Sequence, residues 1–190
     1  MRGSDAVAGV INIITSEASQ TFSANVFSEY GSRATSKNGF SLGHKSGKFT
    51  VRLGASHLET DGINIQPSSG DDIDGYRNTG INLKAGYQYS DQLKLLLTTR
   101  KTMGINDFDG FPEGQFSDFS RLHKKFSADY NSADGLWSHI VSLADSDFEN
   151  DNFKQEESQF VANGSTASNK QNYQYIGSRF WQADRKSTRL

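Results

Sequence analysis

The chain has 190 residues, with 20 Lys and Arg against 22 Asp and Glu, giving a formal net charge of −2. This length is typical of one domain, and the balanced charge argues against a basic nucleic-acid-binding protein. Cysteine is absent, which excludes disulfides, thiolate nucleophiles and cysteine-based zinc sites. No apolar run approaches the roughly 18 residues of a transmembrane helix. No signal peptide is visible, so we expect either a cytoplasmic protein or a true N-terminus upstream of Met1.

Alternation of apolar and polar residues dominates the chain and predicts strands with one apolar face. The clearest case is residues 81–90, in which odd positions are Ile, Leu, Ala or Tyr and even positions are polar or glycine. The pattern predicts an all-β, antiparallel up-and-down meander of about eight strands. These strands are expected at residues 21–30, 37–45, 48–60, 78–89, 92–103, 121–131, 135–148 and 169–182. Several are long against the usual length of about five to six residues.

The predicted connections alternate in length along the meander. The short ones are at residues 46–47, 90–91 and 131–134, and the long polar ones are residues 61–77, 104–120 and 149–168. In a meander this alternation collects the long loops at one end of the sheet. Long strands with short turns on one rim and long loops on the other are typical of an outer-membrane β-barrel. A soluble sandwich with one solvated face gives the same alternation, so the pattern leaves both architectures open.

The first fifteen residues differ from the strands that follow. Residues 3–15 read Gly-Ser-Asp-Ala-Val-Ala-Gly-Val-Ile-Asn-Ile-Ile-Thr, a turn of small residues followed by an apolar strand. This run resembles the end of the plug domain of TonB-dependent outer-membrane receptors, which typically reads Tyr-Gly-Ser-Asp-Ala-Ile-Gly-Gly-Val-Ile-Asn-Ile-Ile-Thr. Arg2 stands at the usual aromatic position, and Ala8 replaces a glycine. The motif residues that match are Gly3, Ser4, Asp5, Ala6, Gly9 and Asn12.

The resemblance implies a plug seated inside a 22-stranded transmembrane barrel. Residues 1–17 would be the C-terminal end of the plug, and residues 18–183 the N-terminal part of the barrel. Because 22 strands need several hundred residues, we expect the chain to be a fragment of the receptor. Residues 184–190 are charge-dense and break the strand pattern. We interpret them as a non-native tail, with a natural basic tail as the alternative.

Two predicted loops contain the pattern Asp-x-Asp-Gly-aromatic, at residues 72–76 and 107–111. Closely spaced carboxylates repel one another unless a cation or hydrogen bonds compensate. Calcium prefers several oxygen ligands, and glycine permits the sharp turn that wraps them. A solvated acidic loop is the alternative interpretation, because Asp and Gly are common turn residues.

Among TonB-dependent receptors, the vitamin B12 (cobalamin) receptors are the most similar. They have an Asp-Asn-Asp-Gly-Phe loop, at which calcium orders the extracellular loops over the ligand. The resemblance implies that Asp72, Asp74, Asp109 and Asp118 bind one or two calcium ions. A further acidic position of that family falls on Asn64 in this chain.

Six polar residues are predicted to share the inward face of the strands, where they would contact the plug or line a transport path. They are Asn25, Glu29, Arg52, Lys84, Lys94 and Arg100. Four tyrosines near strand ends suit an aromatic girdle at a membrane interface: Tyr30, Tyr87, Tyr89 and Tyr130. The sequence contains no metalloprotease, nucleophile-elbow or phosphate-loop motif, so we do not expect an enzyme.

The resemblance therefore implies an outer-membrane active-transport receptor. It would bind a scarce nutrient at its extracellular loops and release it inward when a TonB-type energy-coupling protein pulls on the plug. Cobalamin or a related corrinoid is the favoured ligand, and an iron-siderophore complex is the alternative. Lipid of the bacterial outer membrane would surround the barrel, and no nucleic acid partner is expected. Two other classes stay open, a complete eight-stranded structural barrel and a soluble all-β binding module.

Overall fold

The fold is one antiparallel sheet. The computed structural model describes residues 18, 20–64, 73–109, 114–156 and 159–180. Its strands are β1 (Phe22–Tyr30), β2 (Ser36–Ser46), β3 (Phe49–Ile63), β4 (Asp74–Gln88), β5 (Leu93–Phe108), β6 (Gln115–Asn131), β7 (Trp137–Glu156) and β8 (Gln159–Arg179). Each strand pairs with the next along the chain. The predicted meander of eight strands is confirmed.

Several sequence predictions fall outside the described residues. These are the plug-like motif of residues 3–15, the predicted tail of residues 184–190, and Asp72. In the part of the chain that the structure describes, no helix is long and apolar enough to cross a membrane.

The strand ends agree with prediction at one end of the sheet and differ at the other. In the three hairpins with short turns, each strand end lies within two residues of its predicted position. At the opposite end β1 stops as predicted at Tyr30, but β3 to β8 continue further than predicted: β7 ends at Glu156 and β8 begins at Gln159. The predicted loops at residues 61–77, 104–120 and 149–168 are therefore all too long. Their polar residues pair through backbone N–H and C=O groups, which need no apolar side chain.

The register divides the residues between two faces, because directly opposed residues on neighbouring strands point the same way. One row runs through every strand, from Phe22 through His44, Val51, Ala85, Leu97, Phe126 and Leu143 to Tyr173. We call this side the apolar face and the other side the polar face. Arg52 opposes Lys84, and Asn82 opposes Arg100, on the polar face. The register confirms that the six polar residues predicted to share a face do so.

The described sheet has no apolar core of its own. Ala18 is the one buried hydrophobic residue among the described residues, and no large side chain there is fully buried. Many large side chains of the apolar face are instead exposed, from 37% for Leu53 to 80% for Tyr30. An amphipathic sheet must bury its apolar face against another layer, so this face requires a cover that the described residues do not supply.

The two outermost strands are the edges of the sheet. In the described part of the chain β1 pairs with β2 alone and β8 pairs with β7 alone. A complete eight-stranded barrel requires pairing between the first and last strands, because closure removes both edges. The described strands do not close in this way, which argues against the small-barrel alternative.

Aromatic rings border the apolar face beside the short turns. The rings of Phe49 and Tyr87 lie 4.5 Å apart, centroid to centroid. His139 stacks between Tyr130 and Tyr175, with centroid distances of 6.1 and 6.0 Å. Its Nδ1 lies 2.8 Å from the Tyr175 hydroxyl. The end of the sheet beside the short turns therefore has aromatic rings whose polar groups, such as the Tyr175 hydroxyl, lie next to apolar ring surface.

Candidate functional site

The candidate site lies where β3, β4 and β5 end, on the side away from the short turns. The pairing of β3 with β4 shifts there, from Thr60 opposite Tyr76 to Ile63 opposite Asp74. Gly62 occupies the shift with a φ of +75°, and a Cβ at this position would lie 1.8 Å from the Asp74 carbonyl oxygen. Only glycine permits this approach. The bulge thereby fixes the start of β4, where Asp74 is 8% exposed.

A second carboxylate meets the same turn from the neighbouring hairpin. Asp107 accepts a hydrogen bond from the backbone N–H of Gly75. A Cβ on Gly75 would lie 2.9 Å from Asp107 Oδ2, so the missing side chain lets the carboxylate approach the backbone. The start of β4 therefore has the carboxylate of Asp74 and, beside it, the carboxylate of Asp107 from β5, which is hydrogen-bonded to Gly75.

Burial raises the pKa of Asp107, because the ionised carboxylate loses hydration. The Gly75 hydrogen bond and the positive charge of Arg77 act in the opposite direction. The neighbouring negative charge of Asp74 raises the pKa further. A cation bound here would favour the ionised form of Asp107, because it would offset both the lost hydration and the repulsion from Asp74.

A cavity of about 260 Å³ lies beside these groups. Its lining includes three carboxylate residues, Glu59, Asp61 and Asp107, together with Arg77 and Tyr76. Carboxylate oxygens on neighbouring hairpins are the ligand type that calcium uses. The described residues nevertheless contain no group of three or more His, Asp or Glu side chains placed to hold one metal ion.

Three of the four predicted calcium ligands are among the described residues, and they lie apart; Asp72 is outside the described residues. Asp74 is at the site, on the polar face of β4, and Asp109 directly follows the end of β5. Asp118 is exposed on β6, where it opposes Ile105 and Asp151. Strand alternation puts Asp118 on the apolar face, as it does Asp107, whereas Asp74 belongs to the polar face. Asp118 lies one strand from Asp107 and two strands from Asp74. Of the predicted ligands, only Asp74 adjoins the Asp107 carboxylate closely enough to raise its pKa.

Asp107 is not among the site residues predicted from the sequence. The predicted ligand is Asp109, the second carboxylate of the same Asp-x-Asp-Gly pattern. The sequence did contain a signal for the contact between Gly75 and Asp107. The two residues are equally far in sequence from Asp91, which lies in the short turn between β4 and β5. Extending the register of β4 and β5 from that turn places these two residues opposite each other.

Comparison of the chain with models of known protein families gives no match.

Proposed function

We propose that this chain is the part of a TonB-dependent outer-membrane receptor that joins the plug to the first strands of the barrel. The intact receptor binds a scarce nutrient at its extracellular side and imports it with energy from a TonB-type protein. A corrinoid is the ligand that we favour. The proposal joins the resemblance at residues 3–15 with the surface of the sheet.

The apolar face carries this proposal. Its large side chains are exposed across all the strands, yet the strands are fully paired internally. Lipid is a cover that accepts such a face, because paired strands leave no backbone group unsatisfied in the hydrocarbon. The polar face has Arg52, Lys84 and Arg100, which suits the wet or plug-facing interior of a large barrel.

The shape of the apolar region also supports a barrel wall. On the apolar face of β1 the exposed large side chains are Phe22, Val26 and Tyr30. On that face of β8, on the short-turn side of its register shift with β7, they are Tyr173 and Tyr175. Phe22 and Tyr173 belong to the same row of opposed residues. From this row these exposed side chains continue toward the longer connections on β1 and toward the short turns on β8. Strands tilted by about 35–45° to a membrane require such a drift, of about one residue per strand.

The rims support the same orientation. The aromatic border beside the short turns, with Tyr87, Tyr130 and Tyr175, matches the girdle at a membrane interface. Short turns face the periplasm in outer-membrane barrels, and longer connections face outward. The carboxylates at Asp74 and Asp107 would then lie on the extracellular side, where a nutrient is captured.

Single cysteines test the membrane assignment cleanly, because the chain contains none of its own. We would attach a fluorophore to Leu97→Cys on the apolar face and to the adjacent Leu96→Cys on the polar face. In lipid vesicles containing spin-labelled acyl chains, position 97 should be quenched strongly and position 96 weakly. Equal quenching of the two positions, or no quenching of either, would contradict a lipid-facing surface.

The ligand is tested separately, with the intact receptor in outer-membrane vesicles. Cyanocobalamin should bind in the presence of calcium, and chelation should weaken its binding. Asp74→Ala and Asp107→Ala should abolish the calcium effect, whereas Asp91→Ala, in a short turn, should preserve it. Binding of a ferric siderophore in place of cyanocobalamin would favour the iron-transport alternative and overturn the corrinoid assignment.

A further inference from the structure

A cluster of cations lies in the middle of the polar face, on β5 and β6. Arg100 opposes His123, and Arg121 is the next residue of β6 on the same face. The acids of the adjacent β7 belong to the other face, where Lys124 Nζ lies 3.5 Å from Asp145 Oδ2 and 3.7 Å from Asp147 Oδ2. Strand alternation therefore separates the cations of the polar face from these carboxylates.

The register shows what opposes each arginine directly. Arg100 lies between Asn82 on β4 and His123 on β6. Arg121 lies between Thr102 on β5 and Phe148 on β7. No carboxylate is directly opposite either arginine, so an anion that reaches both guanidinium groups would meet two positive charges.

The acids on this face of the described strands lie away from the cluster, among them Asp74 at the start of β4. Glu29 is opposed by Lys37, with 3.9 Å between Glu29 Oε2 and Lys37 Nζ. Asp129 is opposed by Lys94, at the short-turn end of the sheet. Each of these two carboxylates has a lysine directly across from it, whereas the two arginines have neutral or basic residues across from them.

A cavity of about 540 Å³ opens at this cluster. Eight residues line it: Arg100, Thr102, Arg121, Leu122, His123, Ser146, Asp147 and Phe148. Strand alternation assigns Leu122 and Asp147, which oppose each other, to the apolar face and the other six to the polar face. This volume is within the range of pockets that hold small molecules, about 300–1,000 Å³. A single carboxylate side chain from a neighbouring protein surface would fill only a small part of it.

Three contacts orient two polar groups of the cavity, the Arg121 guanidinium and the His123 imidazole. The Arg121 guanidinium carbon lies 5.0 Å from the ring centroid of Phe148 and 5.5 Å from that of Phe119. Cation–π contacts on two rings restrict the orientation of the guanidinium before any ligand arrives. His123 Nδ1 lies 2.7 Å from Ser146 Oγ, which orients the imidazole. Arg121 and His123 are thus held in place before a ligand arrives, which reduces the ordering cost of binding.

We propose that this cavity binds a small aryl oxyanion, a phosphate or carboxylate attached to a flat apolar ring. The guanidinium groups of Arg100 and Arg121 donate to the oxyanion, for which their planar fork is suited. The ring packs against Phe148, where aromatic pairs gain more than their buried area alone. This site depends only on the polar face, so it stands whether or not lipid covers the apolar face.

The test uses the full chain in detergent micelles and phenyl phosphate as the probe. Titration calorimetry should show tighter binding of phenyl phosphate than of inorganic phosphate or of neutral benzyl alcohol. Arg100→Gln and Arg121→Gln should each weaken binding at least about tenfold, since charge-assisted bidentate hydrogen bonds are lost. Lys101→Gln is the matched control, because Lys101 follows Arg100 on the same strand and faces the other side. It should leave the affinity within about twofold of the unaltered chain.

Four results would overturn the proposal. They are absence of phenyl phosphate binding, an equal loss in Lys101→Gln, inorganic phosphate binding as tightly as the probe, and an acidic peptide binding more tightly than the probe. The last result would make the cluster part of a protein-binding surface. If Arg100→Gln fails to give the circular dichroism of the sheet, Arg100→Lys replaces it. That variant keeps the charge but loses the bidentate geometry, so we expect an intermediate loss of affinity.

Discussion

The half of the sheet beside the short turns and the half beside the longer connections share one backbone ladder but differ in side-chain chemistry. On β5 the first half includes Leu93, Leu95 and Leu97 on the apolar face, whereas Asp107 occupies that face near the other end. The ladder continues without a break from Leu93 to Phe108. The length of a strand therefore depends on backbone pairing with its neighbours. The type of side chain at each position depends on what covers that part of the sheet.

The largest expected change in the free energy of unfolding comes from an arginine on the apolar face of β5. The same substitution is compared at two positions, one in each half of the sheet. If the short-turn half crosses lipid, Leu97→Arg should lower the free energy of unfolding by about 2–4 kcal/mol. Ile105→Arg, on the same face but near the other end of β5, should cost only about 0–1 kcal/mol, because it lies near or beyond the interface. Urea unfolding in lipid vesicles measures both values.

Equal losses for the two arginines would erase the distinction between the halves. Leu96→Arg controls for the arginine itself, because Leu96 belongs to the polar face of the same strand. We expect Leu96→Arg to cost less than Leu97→Arg, since a wet face accepts the charge.

Two glycines with positive φ sharpen the comparison next. Gly62, at the bulge, would place a Cβ 1.8 Å from a backbone oxygen, whereas Gly47, in a short turn, would place one in open space. Gly62→Ala should therefore cost about 2–3 kcal/mol, through both backbone strain and displacement of β4. Gly47→Ala should cost about 1 kcal/mol, from the left-handed conformation alone.

Hydrogen exchange at the start of β4 gives a second measurement on these glycine variants. Gly62→Ala should speed exchange near Asp74, and Gly47→Ala should leave it unchanged. Equal destabilisation by both variants would contradict a structural role for the bulge.

The sequence predicted the short-turn half of the fold well because two signals agree there. Period-two alternation marks the strands, and a pair such as Ser90-Asp91 marks the turn between them. In the other half the residues are polar on both faces, as in Asn150-Asp151-Asn152, so alternation disappears while pairing persists. Propensity favours a loop for such residues, and the partner strand overrides it.

The candidate site was only partly predictable for the same reason. Composition identified the Asp-x-Asp-Gly pattern, but the choice between Asp107 and Asp109 depends on where β5 ends. The sequence-based end at residue 103 put both in a loop, whereas the strand continues to Phe108. The cationic cluster was partly visible, since Arg100 was predicted on the polar face. The contacts of Arg121 with Phe119 and Phe148 required the pairing of β6 with β7.

The two halves should also respond to pH in opposite directions. Burial raises the pKa of Asp107 above its ordinary value of 3.8, so its protonated form is favoured by folding. The stability contributed by that form is fully present below 3.8 and is lost as pH rises through the raised value. Asp107→Asn should remove this dependence and should not destabilise the chain near neutral pH. Unfolding midpoints measured across the acidic range test it, and a midpoint that falls on acidification because of Asp107 would contradict it.

The smallest effect is expected in the short turn between β6 and β7. The Ser132 hydroxyl donates a hydrogen bond to Asp134, and the backbone N–H of Leu136 donates another over 3.0 Å. These bonds lower the pKa of Asp134 below its ordinary value of 3.8, so its ionised form is favoured by folding. Its contribution is present above 3.8 and is lost as pH falls through the lowered value. Asp134→Asn, which keeps a hydrogen-bond acceptor but does not titrate, should abolish this loss, with the sign opposite to that at Asp107. Nuclear magnetic resonance titration would measure the pKa values of Asp107 and Asp134 directly. If both pKa values departed from 3.8 in the same direction, the contrast between the two halves would be wrong.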